Sequence, residues 1–578
     1  MKNKFIRILV ALVLGSIVAY QTNSLNEILS IAFLIKVLFN STVLFFALKQ
    51  IDLKRKWLWV CAFLLASLTS LGKSYNDYGT VFKPNTLYFI VPLIFSYYIN
   101  ICFLSDFKMP EKKDRFISLF DKTWFRVLII CIGWSFVALS IYPGIIYVDT
   151  KLGINDIYNN NYSLHTSFLY SCIVSGIYGL IGLFTDSNAP VVVVTLLNAF
   201  SVIVILDACI KTINPAPIWK MFITLHFALN LNIQLWAFNV CKDVLFSMLF
   251  LLFILKTYVY LTKDLKHYCR DTFSILLSLC LMRNNMVYIL IIWAIILFIQ
   301  KQKKTALMSL IVCLLFFGYK FIATNMLGFE NDAIQESMSV PLQQMAYVYS
   351  QDKMSKEDIK YIKTLFKNPE GTFTWDYYYP TLADEAKKGF KEITPEFISL
   401  YLKTGIENPK DYIDAFVGLT YYSYYPDNIL NIYANTAYKN FSENIYGDNF
   451  VEENIEYDTN FYAFAPSFNN SEGIFYEGYI LLHKICWFAN TEYIPIFSKT
   501  INITTFLYLF LITFFISLER KQYKITIVLL PALLLLLTCY LGPCVLIRYY
   551  LLFIYSAPFM LWFIYESRKE NICKNQII

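Results

Sequence analysis

Residues 242–263 read KDVLFSMLFLLFILKTYVYLTK. From Val244 to Thr262 this is one apolar run of the length that a bilayer core demands, about 20 residues. Two charges, Lys242 and Asp243, stand at its head. At the middle of a span each would cost roughly 2.5–3.5 kcal/mol, so the pair belongs at an interface or against a polar cavity. A plain snorkelling Lys beside its neighbour is the simpler reading of the same dipeptide. Lys256 inside the run, like Lys36 and Asp207 inside others, reads as structural or interfacial. Asp207 and Lys211, four apart, can pair along one helix face.

Working outward, similar runs lie near 5–21, 27–48, 57–72, 85–104, 124–142, 164–185, 190–210 and 219–238. Others follow near 272–300, 304–327, 501–518, 524–541 and 545–566. The 578 residues are 57% hydrophobic and 16% charged, against roughly 25% charge in a soluble chain. These features predict an all-α polytopic membrane protein of about 13–14 membrane segments, some short or re-entrant. Four domains follow: accessory spans over 1–110, a membrane module over 111–327 with an outer loop at 143–163, a soluble acidic segment over 328–499, and closing spans with a tail over 500–578.

Charge gives the orientation. Residues 328–499 hold 25 acidic residues and 13 Lys with no Arg, whereas the rest of the chain holds 36 basic and 17 acidic residues. Basic loops stay on the cytoplasmic side, so both termini are expected inside and 328–499 outside, in a multi-pass protein of the cell membrane. Lys2, Lys4 and Arg7 flank the first run at its N-terminal end, and it reads as a retained anchor because a second span follows at once. Four runs lie between the outer loop at 143–163 and the basic cluster Lys263–Arg270, so one of them cannot cross. The stretch 212–238, with Pro215, Pro217, Asn230, Asn232 and Gln234, is the expected re-entrant one. The run at 272–300 breaks at Arg283-Asn284-Asn285 into two short segments meeting at the outer side.

The acidic segment carries helix signals. Thr394-Pro395-Glu396 offers an N-cap, a Pro at the first helical position and an acid in the first turn, with Gly405 as a stop. Asn408-Pro409 repeats the start, and Ser355 to Asp358 has capping-box spacing. A mainly helical extracytoplasmic domain is expected. Its tyrosines, Tyr377–Tyr379 and Tyr421, Tyr422, Tyr424 and Tyr425, read as packing first and as a sugar platform second. The 13 Cys and four His form neither a disulfide framework nor a zinc spacing. No cofactor is expected and nothing supports a divalent metal. No basic stripe lies in the soluble part, which argues against a nucleic-acid partner.

Chemistry concentrates at a few places. The loop Tyr142-Pro143-Gly144-Ile-Ile-Tyr-Val-Asp149-Thr150 sets a carboxylate just beyond a helix exit, where a soluble substrate and a lipid headgroup meet. Asp149 there can serve as general base, or can simply cap a short interfacial helix. Asp156 and His165 follow, and His165 at the start of the next span reads first as a cap or interfacial anchor. Arg283-Asn284 and Arg548-Tyr549 place two guanidinium forks at the outer rim, suited to bidentate phosphate binding or to helix-end snorkelling.

In their order along the chain these features resemble a largely uncharacterised bacterial family of multi-spanning proteins grouped near the GT-C glycosyltransferases. The resemblance runs from about residue 120 to 566. It rests on Pro143-Gly144 with Asp149, Lys242-Asp243, Arg283-Asn284, Pro341-Leu-Gln343-Gln344-Met-Ala346, Asn408-Pro409 with Tyr412 and Ala415, and Gly542-Pro543 with Arg548-Tyr549. It implies a GT-C-like fold and transfer of a sugar from a polyprenyl-phosphate donor to a glycan, glycolipid or protein acceptor of the cell envelope. Asp149 would be the catalytic base, with Asp243 a second acid at the site. Lys242, Arg283, Asn284, Arg548, Tyr549 and His165 would bind substrate. His165-Thr166 stands where the resemblance implies His-Pro, and no Asp-x-Asp is present. A polysaccharide polymerase or ligase, in which an Arg is decisive, and a transporter or flippase of lipid-linked glycan remain alternatives.

Overall fold

The computed structural model describes residues 4–23, 30–48, 52–83, 88–107, 114–164, 166–185, 188–263, 267–330, 333–366, 386–387, 389–426, 477–478, 481–482, 484–485 and 500–575. The chain is an all-α polytopic protein. Among the described residues seven helices are long and apolar enough to cross a membrane: Lys4–Gln21, Lys56–Tyr78, Thr123–Ser140, Ala189–Ile213, Lys242–Lys263, Lys303–Asn325 and Ile547–Arg568. Shorter apolar helices pack among them, including Phe168–Gly182, Pro217–Leu229, Met286–Ile299 and Ile503–Glu519. The Lys242–Lys263 helix is the most enclosed of the middle group. It presses Phe246, Phe250, Leu251, Phe253 and Leu255 into a core shared with Leu276, Trp293, Phe553 and Phe563. Helix boundaries follow ordinary stop and start chemistry. Gly79 ends Lys56–Tyr78 in the left-handed region at φ 68°, and Pro217 opens Pro217–Leu229.

Two ends of the bundle can be told apart by their polar contacts. At one end Arg55 grips Asp106 with both terminal nitrogens at 3.1 and 3.0 Å. Nearby, Arg568 bonds to the Asp106 carbonyl at 2.7 Å, and Glu519 accepts from the Trp57 amide at 2.9 Å. Lys220 reaches Asp121 at 2.8 Å, and Arg126 pairs with Asp207. Asp207 also pairs with Lys211 at 2.6 Å. The opposite end holds Gly144, the first turn of Lys242–Lys263, the Arg283 break and the start of the closing helix.

This layering corrects the expected re-entrant segment. Lys220 lies level with Asp121 at the start of the Thr123–Ser140 helix, while Trp134 Nε1 donates to the Phe227 carbonyl at 2.8 Å. Asn239 and Val240 reach the level of Ile145 and Ile146, with which they pair. Residues 217–240 therefore traverse the whole layer. Their break at Asn230 is a recapped helix, because the Asn230 side chain accepts from the Ile233 amide. Asn230 and Gln234 donate to the backbone carbonyls of Thr500 and Ala228 at 2.7 and 2.6 Å, so these amides are satisfied inside the bundle. Phe168–Gly182 stays at one end of the bundle. It lies along the Val148–Tyr158 helix, with Tyr158 Oη bonded to the Ser175 carbonyl at 3.3 Å. The next helix, Ala189–Ile213, starts at the same end, since Asn198 bonds to the Ala237 and Asn239 carbonyls. The six residues between them can span only about 20 Å.

The run at 272–300 is two helices, Tyr268–Met282 and Met286–Ile299, hinged at Arg283. The described part of 328–499 forms a helical unit with its own core of Leu342, Met345, Val348, Ile362, Phe366, Phe390 and Phe397. Thr394 caps the Phe397 amide at 3.1 Å and Ser355 caps that of Asp358 at 3.1 Å. Gly405 does not stop its helix, which runs on to Glu407. A Cβ at Gly405 would come 2.9 Å from the Tyr412 ring, so the glycine serves packing. Gln343 and Gln344 donate to the Ala415 and Tyr412 carbonyls at 3.0 Å each, holding Ser339–Ser350 to Pro409–Thr420 within this unit. The unit also meets the membrane body. That junction is made by Asp414, which accepts from Thr80 Oγ1 at 2.7 Å and the Val81 amide at 2.8 Å, and by Tyr508 Oη, 2.7 Å from the Tyr424 carbonyl. Tyr377–Tyr379 lie outside the described residues.

Candidate functional site

A two-residue parallel ladder builds the site. Ile145 pairs with Asn239 and Ile146 with Val240, with the Ile145 amide donating to Phe238 and the Tyr147 amide to Val240 at 3.1 and 3.2 Å. Each strand runs directly into a helix: Ile146 into Val148–Tyr158, Val240 into Lys242–Lys263. Asp149 and Asp243 thus occupy equivalent places in the first turns of two neighbouring helices, where a carboxylate is favoured by the helix dipole. Gly144 makes the approach possible. Its φ of 117° is strained for any residue with a Cβ, and a Cβ there would run into Thr195.

Two arginines from distant parts of the chain close on these carboxylates. Arg283 has extended backbone between two helices and donates Nε to Asp243 Oδ1 at 2.7 Å. Its guanidinium faces the rings of Tyr549 and Phe246 at 4.8 and 5.0 Å. Arg548, second residue of the closing helix, pairs through Nη1 with Asp149 Oδ2. Its Nε lies 3.7 Å from Asp243 Oδ2, too far for a hydrogen bond, and that buried Nε has no hydrogen-bond acceptor. Its Nη2 donates to Tyr549 Oη at 3.0 Å. The rings of Tyr147 and Tyr549 flank its guanidinium at 4.6 and 4.9 Å. Burial raises the Tyr147 phenol well above its ordinary range, so the ring stays neutral beside the cation.

The four charges differ in access. Asp243 is 1% exposed and Arg548 8%, whereas the Asp149 side chain is 27% exposed. Asp243 therefore does not fit the expected role of second catalytic acid. Both its oxygens face guanidinium groups and it has no solvent face, so it anchors Arg283 and Arg548. Asn284 also departs from expectation. It is exposed, and its amide donates to the Leu164 carbonyl at 3.3 Å, tying down the outer loop outside the charge cluster. Asn285 bonds Thr538 at 2.8 Å. Lys242 is half-buried at the head of its helix. His165 lies outside the described residues. Tyr147 and Phe246, which face the guanidinium groups, are missed by sequence reasoning. The only signal for Tyr147 is its place two residues before Asp149, and aromatics at 18% of the chain drown it. Among the described residues there is no group of three or more His, Cys, Asp or Glu side chains that could hold a metal.

An apolar groove of about 230 Å³ adjoins the cluster. It is lined by Tyr170, Ile173, Val194, Leu197, Leu245 and Met282, among others. Val240, one of the ladder residues, also lines it, whereas none of Asp149, Asp243, Arg283 and Arg548 does. Ile173 and Leu197, on its outer lip, are 57% and 43% exposed. The groove is of a size and lining that suits an apolar chain.

A model of a family of unknown function, DUF6020, matches residues 158–576. Lys242, Asp243, Arg283 and Arg548 lie within the match, and Asp149 lies before it. No curated protein and no solved structure matches the chain.

Proposed function

We propose that this chain, a member of the DUF6020 family, is a GT-C-like membrane glycosyltransferase that moves a sugar from a polyprenyl-phosphate donor to a cell-envelope acceptor. The end of the bundle bearing Asp149 would face outward and the Arg55 end the cytoplasm, with both chain termini. The observation that carries the reading is the pairing of the accessible Asp149 with Arg548, with an apolar groove beside the ladder residue Val240. The prenyl chain would occupy the groove and the phosphate would meet Arg548 and Arg283, whose charge offsets the negative charge that develops as the leaving group departs. The acceptor oxygen attacks the anomeric carbon as Asp149 takes the hydroxyl proton. The bond from that carbon to the phosphate oxygen breaks, its electron pair staying on the phosphate. A lipid phosphate leaves as a stable anion, so one carboxylate suffices where glycoside hydrolysis uses two. A single displacement inverts the anomeric configuration.

The test is transfer of labelled sugar from polyprenyl-phosphate lipid by the purified protein in vesicles. Asp149→Asn is expected to lower transfer by at least the roughly 100-fold typical of a lost general base, and full activity in that variant would remove Asp149 from the mechanism.

A further inference from the structure

Arg548 has two claimants. Its position is fixed on three sides: Tyr147 and Tyr549 flank the guanidinium, and Asp243 stands 3.7 Å from Nε. The remaining partner, Asp149, is the exposed one, on the first turn of the 11-residue helix Val148–Tyr158. With Arg283 paired to Asp243 and Arg548 to Asp149, each guanidinium already has a carboxylate partner before any ligand is present. A phosphate arriving at Arg548 from the side where Asp149 is exposed meets Nη1, which already holds Asp149 Oδ2.

We propose that Asp149 and the lipid-linked phosphate compete for Arg548, so that the carboxylate occupies the phosphate position in the empty site and is released by donor binding. The inference rests on the function proposed above and adds an order to it. While Arg548 holds Oδ2, that oxygen is turned from an acceptor hydroxyl. Once the phosphate has taken the guanidinium, Asp149 is free to swing toward the acceptor and take its hydroxyl proton, while the negative charge passes to the departing phosphate beside Arg548. The donor therefore binds first and the acceptor second, and a site without donor does not activate stray hydroxyls or water.

Binding of undecaprenyl phosphate, without sugar, to the full-length protein in nanodiscs tests this. Asp149→Asn keeps the shape and removes the competing charge, and is expected to bind the lipid roughly fivefold more tightly than wild type, the value of a partly exposed ion pair. Asp149→Ala should show the same gain, which guards against a folding defect particular to one variant. Asp156→Asn, on the same helix, removes one charge without touching Arg548 and should leave affinity unchanged, whereas Arg548→Ala should lose binding. If wild type binds and both Asp149 variants bind equally or more weakly, the competition is overturned while the lipid-phosphate reading stands. An equal gain from Asp156→Asn overturns it too, since the gain would then reflect general charge. If undecaprenyl phosphate binds no better than the neutral polyprenol to any form, the proposed function fails and the competition with it.

Discussion

Replacing Asp243 by Asn removes one charge from the centre of the cluster and nearly nothing from its shape. In the native site this carboxylate receives a 2.7 Å hydrogen bond from Arg283 Nε and lies 3.7 Å from Arg548 Nε, with 1% of its surface exposed. At such separations a pair of unit charges interacts by about 4 kcal/mol at an effective dielectric constant near 20. Removing one member of a buried pair costs about 3–5 kcal/mol, because the partner is left uncompensated. Here two guanidinium groups lose their shared counter-charge, while the Asn oxygen can still accept from Arg283, so a loss of about 3 kcal/mol is expected. The assay is thermal unfolding of the purified protein in detergent, followed by intrinsic fluorescence, beside the conservative variant Asp243→Glu. Asp243→Asn should unfold at clearly lower temperature and Asp243→Glu should recover part of the loss. A variant with wild-type stability and no transfer activity would refute the anchoring argument and return Asp243 to the role of catalytic acid.

Two further outcomes are expected. Gly144→Ala forces a Cβ into a φ of 117° and against Thr195. It should cost about 1–3 kcal/mol of stability and reduce undecaprenyl phosphate binding by misplacing the loop, and wild-type behaviour in both measurements would contradict the account of the turn. Burial raises the Asp414 carboxyl above its ordinary value, outweighing the hydrogen bonds from Val81 and Thr80 that lower it. The folded state thus holds that proton more tightly than the unfolded state, and the resulting stabilisation is complete below the ordinary carboxylate value and is lost as pH rises through the raised one. Hydrogen exchange at the Val81 amide should therefore quicken across this window beyond its intrinsic pH dependence. Asp414→Asn should abolish the excess, and persistence of the excess in that variant would assign it to another group.

The sequence was informative where one physical rule acts alone. Apolar length marks the helices. Thr394, Ser355 and Pro395 mark helix starts because capping is local. Arg283-Asn284 marks a break because a charge interrupts lipid-facing chemistry. The route of 164–240 was misread because proline and amide residues signal a broken helix equally well whether the chain turns back or continues. Only the distant partners of Asn230, Trp134 and Lys220 decide between the two. At the site, Asp149, Asp243, Arg283 and Arg548 could each be singled out as charges beside apolar runs. Their division of labour could not. Whether a carboxylate anchors or faces solvent depends on which guanidinium lies opposite it, and Asp149 and Arg548 are 399 residues apart in the chain. Tyr147 and Phe246 were invisible for the same reason.

The four-residue ladder behind the site also acts as a ruler. A slip of one residue between Ile145–Ile146 and Asn239–Val240 would shift the start of one helix against the other by about 3.3 Å, carrying one carboxylate away from the arginines while the other stayed in place. The lengths of the segments joining Ile146 to Asp149 and Val240 to Asp243 are therefore set by the chemistry. A single inserted or deleted residue in either should be far more damaging than most substitutions there, even with every charged side chain retained.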